Sequence, residues 1–448
     1  MKRLILAAAI CALFHPAAIA QEQFNIMNPA VQEFVSKSNS TFSSASGNFD
    51  NAFFDGVRDY RPDQPVSKTI RVVRRGTGSD AGIIAGRQAR KLILEVHFPD
   101  APWLDYRQTV PFESDEHTFT ITNLIPGVTC HYKVRQGGRV LASDSLVPVG
   151  PVRMIAVEKG FNIRDLGGWQ GLGGKTVRYG QIYRGGSLGG TDMDGSSSDI
   201  PESDRAELLR IGLRAHLDLR AETNGGLYAG EHSLHSYTAG HSTFADDFNN
   251  TRTDNGAYNR DASVISDIAW IIYELKRNNP VYFNCRQGAD RTGTVAFVIE
   301  GLLGCDLQTG ENGGNQMAID YELTGFSQAN SIDNVSVGSS RRPARDAYSN
   351  RGKLFRQLME LKAAEPDIEL ENLQQRCYYY LNRYNGFRNS DEIQHIDSAD
   401  LDWFIQFMLG MSDSEYAPFR PAWALPGGDL KQIGESHANT VTYSDVKY

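Results

Sequence analysis

The sequence predicts a multidomain chain: an all-β domain of sandwich type, then an α/β domain with a helix-rich C-terminal part. Three observations carry this. From Lys68 to about Val149, short runs alternate apolar and polar residues with no helical period between them. After Met154, strand-like runs and amphipathic helical runs take turns. Beyond about residue 350 the period is helical, in "GKLFRQLMELKAA", "LENLQQRCYYYLNRY" and "SADLDWFIQFMLGM". A length of 448 residues suits two or three domains.

The N-terminus stands apart from both. Lys2 and Arg3, an apolar run from Leu4 to Phe14, and Ala18-Ile19-Ala20 have the order of a secretory signal: basic start, apolar stretch, small-x-small end. Eleven apolar residues are too few to span a bilayer. A signal peptide over 1–20, cleaved after Ala20, and a periplasmic or secreted protein are expected, with an uncleaved anchor as the alternative. Residues 21–67 are weakly patterned, and their Ser-rich "SKSNSTFSSASG" has linker composition.

Charged residues make up 22% and the formal charge is −9, so no nucleic-acid partner is expected and any positive field for an anion must be local. After the signal, Cys130, Cys285, Cys305 and Cys377 are too few and too scattered for a disulfide framework or a zinc site. No metal and no organic cofactor are expected. "DMDGSSSD", at 192–199, lacks the spacing and closing Glu of an EF-hand and is taken as a solvated loop.

The β domain is placed at 68–150. "KTIRVVRR", "RKLILEVHF", "HTFTITNL", "CHYKVRQ" and "RVLASDSLV" are its strands, divided by Gly, Pro, Asp and Ser. Within it, "LIPGVTCHYKV" resembles the turn-and-strand signature of a fibronectin type III domain, with Cys130 at the corner-tyrosine position and Tyr132 two residues on. Strands of this length at this spacing, without helices, argue for a sandwich, and contact of that domain with a surface or a glycan is the partner expectation for it.

The α/β domain is placed at 155–415, followed by a C-terminal tail at 416–448. "SDRAELLRIG" and "VISDIAWIIYELKR" are helical by apolar spacing, while "LRAHLDLR" and "VYFN" are strands. Cys305 and Cys377 lie in helical text and are expected in the core.

The chemistry concentrates after "VYFN", in Cys285-Arg286-Gln287-Gly288-Ala289-Asp290-Arg291-Thr292-Gly293. A loop of this length between strand and helix can turn its backbone N–H groups inward, and the helix adds its own unsatisfied N–H groups and positive dipole end. Such a bowl holds an anion and lowers a thiol pKa, favouring a thiolate at Cys285. Arg291 can grip two phosphoryl oxygens side by side. Gly288 allows close backbone approach, and Thr292 can donate to the sulfur. The other reading of Cys285 is a buried structural thiol.

Here the sequence resembles the cysteine-dependent phosphatase superfamily and, more narrowly, its bacterial secreted tyrosine, dual-specificity and lipid phosphatase family. The resemblance rests on the Cys-x5-Arg loop and, in the family's order, on "FNIRDLGGW", "VRYGQIYRGGSL" and "IGLRAHLDLRAE", with "IDSADLDWFIQFML" behind. It implies attack of Cys285 on phosphorus, a phosphocysteine and its hydrolysis. Arg291 and the loop (Arg286, Gln287, Gly288, Ala289, Thr292) would hold the phosphoryl group, and Asp290 would serve as general acid and then base. Asp246 and Asp247 in "TFADDFNN" are the rival acids. Arg164 and Asp165 either orient the loop from behind or anchor a turn, and Asp218 and Arg220 share that ambiguity. Two positions depart from the pattern: Asn284 stands where His is usual, and Ala289 where members acting on phosphoinositides often carry Lys.

The expected activity is phosphomonoester hydrolysis of the protein tyrosine or dual-specificity type. Inositol polyphosphates or phosphoinositides are the alternative substrates, and arsenate or sulfur chemistry is a weaker rival. A module that binds a phosphate ligand without turnover is the alternative of another class. The partner is a phosphorylated protein or an inositol phosphate.

Overall fold

The structure, a computed structural model, describes residues 22–26, 67–77, 82–150, 152–158, 160, 162–188, 201–219, 235–238, 264–285, 288, 290–305, 316–326, 358–359, 361–363, 365–383, 396–425 and 438–439. The proposed signal and most of the linker lie outside them, as do Arg220, Asp246, Asp247, Arg286, Gln287 and Ala289. The described chain forms two compact units.

The first unit is built of strands: β1 (Glu22–Asn25), β2 (Lys68–Arg74), β3 (Ile83–Ala85), β4 (Lys91–His97), β5 (Tyr106–Pro111), β6 (Glu116–Ile121), β7 (Cys130–Gln136) and β8 (Arg139–Val149). One sheet runs β1-β8-β7-β4-β5 and a second β3-β2-β6. In the larger sheet β4 pairs antiparallel with β5 and β7, and β7 with β8. The two-residue period of the sequence explains the faces. In β7, Cys130, Tyr132 and Val134 point inward while His131 and Lys133 face solvent. Cys130 is fully buried, a small apolar thiol on the inward face of the strand.

The second unit contains β9 (Arg164–Asp165), β10 (Ile182–Gly185), α1 (Glu202–Arg210), β11 (Ala215–Asp218), β12 (His235–Thr238), α2 (Val264–Lys276), β13 (Val281–Asn284), α3 (Asp290–Leu302), α4 (Gln316–Glu322), α5 (Leu373–Arg383), α6 (Ser398–Leu409), α7 (Asp413–Tyr416) and β14 (Ala438–Asn439). Its sheet runs β14-β12-β11-β13-β10-β9. The inner four strands are parallel and the two edges antiparallel. Successive residues of the central strands serve opposite faces. Val281 and Phe283 enter a core with α2, α3, α5 and α6, whereas Tyr282 and Tyr183 enter a second core with Leu208 and Leu209 of α1. Helices thus cover both faces, which is why Val281, Tyr282 and Phe283 are apolar in succession rather than alternating with polar residues.

Residues 416–425, assigned by sequence to the tail, pack onto this unit. Tyr416 is fully buried with its hydroxyl donating to Asp402, Trp423 meets Tyr378 and Tyr379 edge-on, and β14 adds a strand to the sheet. Among the described residues no helix is long and apolar enough to cross a membrane.

Register sets the stage for the site. Gly185, Asn284 and Asp218 stand level on β10, β13 and β11. The residues that follow them, Gly186, Cys285 and Leu219, therefore emerge side by side from the carboxyl edge of the parallel strands. In open α/β sheets ligands bind at this edge.

Candidate active site

β13 delivers Cys285. All four strand residues are buried between β10 and β11, and Cys285 follows at 4% exposure. The thiol is not in a disulfide; nor are the other three described cysteines, Cys130, Cys305 and Cys377, which are likewise buried. The helix α3 starts at Asp290, so its first-turn N–H groups and positive dipole end lie at the far side of the loop.

Arg291 sits in that first turn, half-exposed, and its Nη1 donates to the carbonyl oxygen of Leu219 at 3.0 Å. The N–H of Leu219 in turn donates to the carbonyl of Asn284 at 2.8 Å. One residue at the end of β11 thus ties the cysteine strand to the arginine. Thr292 is buried, and its Oγ1 has no hydrogen-bond partner among the described residues.

Asn284 is held as firmly. Its Oδ1 meets His216 Nε2 at 2.5 Å and its Nδ2 donates to the carbonyl of Cys285 at 3.1 Å. A histidine is therefore present one strand away, bonded to the residue that stands where the family pattern has one.

Gly288 is in the left-handed region at φ +67°, and a Cβ there would come within 2.4 Å of the Gly185 backbone. Only glycine fits, for conformation and for space. Its carbonyl oxygen receives Arg184 Nη2 at 3.0 Å and Asn162 Nδ2 at 3.1 Å.

Behind the loop lies a buried ionic cluster. Arg164 Nε donates to Asp320 Oδ1 at 2.8 Å, and Arg184 Nη1 pairs with Asp320 Oδ2. Burial and repulsion from Arg184 bring the Arg164 guanidinium down to about 10 despite Asp320. For Asp320, burial acts upward, but the two arginines outweigh it and keep the carboxyl below its ordinary value. Glu300 goes the other way: burial first, then the Asp320 charge, push it well above the usual carboxyl range, against Arg184 and Arg164. No donor reaches either Glu300 oxygen among the described residues. A Glu300 that carries a proton can donate to Asp320, whereas two carboxylates would offer only acceptors.

Asp165 has a separate place. It pairs with buried Arg153 at 2.9 Å and accepts the N–H groups of Gly167 at 3.0 Å and Gly180 at 2.7 Å. Burial pushes its carboxyl up, opposed by Arg153 and those N–H groups. Arg153 also donates to the carbonyls of Leu124 and Asn123 and to the Tyr183 hydroxyl. Asp165 holds a turn; Arg164 faces the cluster behind the loop.

The structure thus brings Cys285, Gly288, the start of α3 at Asp290, Arg291 and Thr292 to one strand end. Sequence reasoning missed Asn162, Arg184, Leu219, His216, Glu300 and Asp320. Arg184 lay within a quoted phrase, "QIYRGG", as a buried cation inside an apolar strand, and that was its signal. Asp320 in "MAIDYE" carries none.

The tyrosine phosphatase family model matches residues 155–392, more than half of the chain. No curated protein matches it. The family region spans the Cys285 strand, the loop, Arg291 and the ionic cluster described above. The chain belongs to the tyrosine phosphatase family.

Proposed function

We propose that the protein is an exported phosphomonoester hydrolase of the protein tyrosine or dual-specificity type, working through a phosphocysteine on Cys285. The observation that supports it is the Cys285 strand end, level with the Leu219 carbonyl that holds Arg291 at the start of α3. In the first step the Cys285 thiolate attacks phosphorus in line as the ester P–O bond breaks. Asp290 gives its proton to the departing alkoxide or phenoxide oxygen. In the second step Asp290, now a carboxylate, takes a proton from water as that water displaces the thiolate from phosphorus. Inorganic phosphate leaves and Asp290 is again an acid.

Arg291 and the N-terminal N–H groups of α3 carry the charge on the equatorial oxygens. Arg291 is half-exposed, with Nη1 on the Leu219 carbonyl, and a guanidinium presents five N–H donors in a planar fork that suits a phosphoryl group. The Thr292 hydroxyl, buried without a partner among the described residues, suits a thiolate acceptor. The signal-like residues 1–20 support export to the periplasm or medium. The strands of the first unit, with "LIPGVTCHYKV", support a fibronectin type III-like sandwich that contacts a surface or a glycan.

The test follows phosphate release by the chain from Gln21 onward and by its Cys285→Ser form. The substrates are a phosphotyrosine peptide, a phosphoserine peptide, a phosphoinositide and inositol hexakisphosphate. Release that Cys285→Ser abolishes supports the mechanism, and peptide preference supports the protein-phosphatase reading over the inositol one. Absence of release from all four, with Cys285 reduced, removes the hydrolase reading in favour of a binding module.

A further inference from the structure

Two donors converge on one acceptor behind the loop. The Gly288 carbonyl oxygen takes Arg184 Nη2 at 3.0 Å and Asn162 Nδ2 at 3.1 Å. Both donors are oriented by one carboxylate. Asp320 pairs directly with Arg184. It also holds Arg164 Nε at 2.8 Å, and Arg164 Nη1 donates to Asn162 Oδ1. Arg164 closes the ring by donating Nη2 to the Asp320 carbonyl at 2.5 Å. Arg164, Arg184, Asp320 and Asn162 are all buried. They come from β9, β10, α4 and the segment before β9.

We propose that Arg184 and Asn162, set by Asp320, are positioning residues that give the Cys285 loop its anion-binding shape. The proposal rests on reading that loop as the phosphoryl site. A carbonyl has two acceptor sites, and here both are filled. Turning the Gly288 carbonyl away would break two bonds and take the acceptor from a buried guanidinium N–H, a costly outcome. A planar trans peptide points its N–H opposite to its C=O. A carbonyl gripped by two donors therefore has the plane of its peptide fixed, and with it the course of the backbone at Gly288. Gly288 at φ +67° is the residue whose backbone can take this turn.

Charge points the same way. With Glu300 protonated, the cluster sets two guanidiniums against the single Asp320 carboxylate, and the excess positive charge lies buried behind the bowl. In so dry a place that charge is weakly screened and favours an anion in front of it.

The purified full chain and its Arg184→Lys, Asp320→Asn and Asn162→Ala forms are alkylated with iodoacetate or iodoacetamide, with and without inorganic phosphate, and modification at Cys285 is read by peptide mapping. A formed bowl prefers the anionic reagent and is shielded by phosphate. A thiol merely exposed by loosened packing reacts faster with both reagents, and phosphate makes no difference. Loss of one charge-assisted hydrogen bond corresponds to about a tenfold fall in the iodoacetate-to-iodoacetamide ratio and in phosphate protection for Arg184→Lys and Asp320→Asn. The neutral donor of Asn162 corresponds to about a threefold fall. Folded Arg184→Lys with the ratio and protection of the original chain overturns the proposal. If the arginine and aspartate variants do not fold, Asn162→Ala decides in the same way. An original chain with neither anion preference nor phosphate protection removes the phosphoryl-site reading, and this proposal with it. Protection that survives every variant overturns this proposal alone.

Discussion

The guanidinium of Arg291 donates to the carbonyl of Leu219 at 3.0 Å, and the N–H of Leu219 donates to Asn284 at 2.8 Å. The residue expected to grip the phosphoryl group is thus fastened to the strand next to the cysteine. Its position is set by the sheet as well as by its own helix. One nitrogen is spent on this fastening, and a planar fork keeps others in a fixed direction. A lysine has no such division of labour.

Arg291→Lys is therefore expected to fold and to lose turnover. Removing a donor aimed at developing charge costs about 100- to 1000-fold in kcat. The fall should appear in kcat more than in KM, because the fork acts on the transition state. Steady-state kinetics on a phosphotyrosine peptide checks this; a lysine variant within a few-fold of the original in kcat would count against the assigned grip.

Asp165→Ala should report on stability. Asp165 and Arg153 form a buried ion pair at 2.9 Å, and the alanine leaves that guanidinium charged and unpaired. Breaking one side of such a pair costs about 3–5 kcal/mol. Urea unfolding of the purified variant measures it. A loss below about 1 kcal/mol would mean that Asp165 does not hold the turn at Gly167 and Gly180, since surface-like substitutions fall in that range.

Local signals were readable and long-range ones were not. "VYFN" occupies the whole of β13 because three consecutive apolar residues between a turn and the Asn-Cys step leave a buried strand as the natural outcome. The helix "VISDIAWIIYELKR" appears as Val264–Lys276 for the same reason, an apolar stripe at helical spacing. Cys285, Gly288 and Arg291 were legible because one loop contains them all. Asp320 was not, since its partners Arg164 and Arg184 are far away in sequence and meet it only after β9, β10 and α4 have packed. Nor was His216, whose bond to Asn284 exists because β11 and β13 run in parallel register.

Glu300 gives a prediction with a definite sign. Its folded-state carboxyl titrates well above the ordinary range, from burial and from Asp320. The unfolded chain releases that proton near pH 4.3, about the value of an unperturbed glutamate. Above it, the folded state binds more protons than the unfolded one. The stability contribution is therefore complete below that pH and is lost as pH rises toward the folded value. Glu300→Gln keeps a donor for Asp320 and removes the titration. The original chain should lose stability relative to the variant by up to about 1.4 kcal/mol per pH unit as pH rises from about 5 toward the folded-state value. Denaturant midpoints over that window test it, and parallel curves would show that Glu300 is ionised in the folded protein.

Thr292 separates stability from chemistry. Its hydroxyl is buried in the first turn of α3 without a partner among the described residues. Leaving such a group unsatisfied costs about 1–3 kcal/mol, so Thr292→Val, which keeps the branched shape, should be neutral or stabilising. The same substitution removes the donor assigned to the Cys285 thiolate. The thiol pKa should then rise and the pH midpoint of Cys285 alkylation should move upward, because a hydrogen bond to the charged form no longer favours it. Thermal unfolding and alkylation rates across pH read the two effects on one sample. A more stable variant with an upward midpoint supports the assigned role, whereas an unmoved midpoint shows that the hydroxyl does not serve the sulfur.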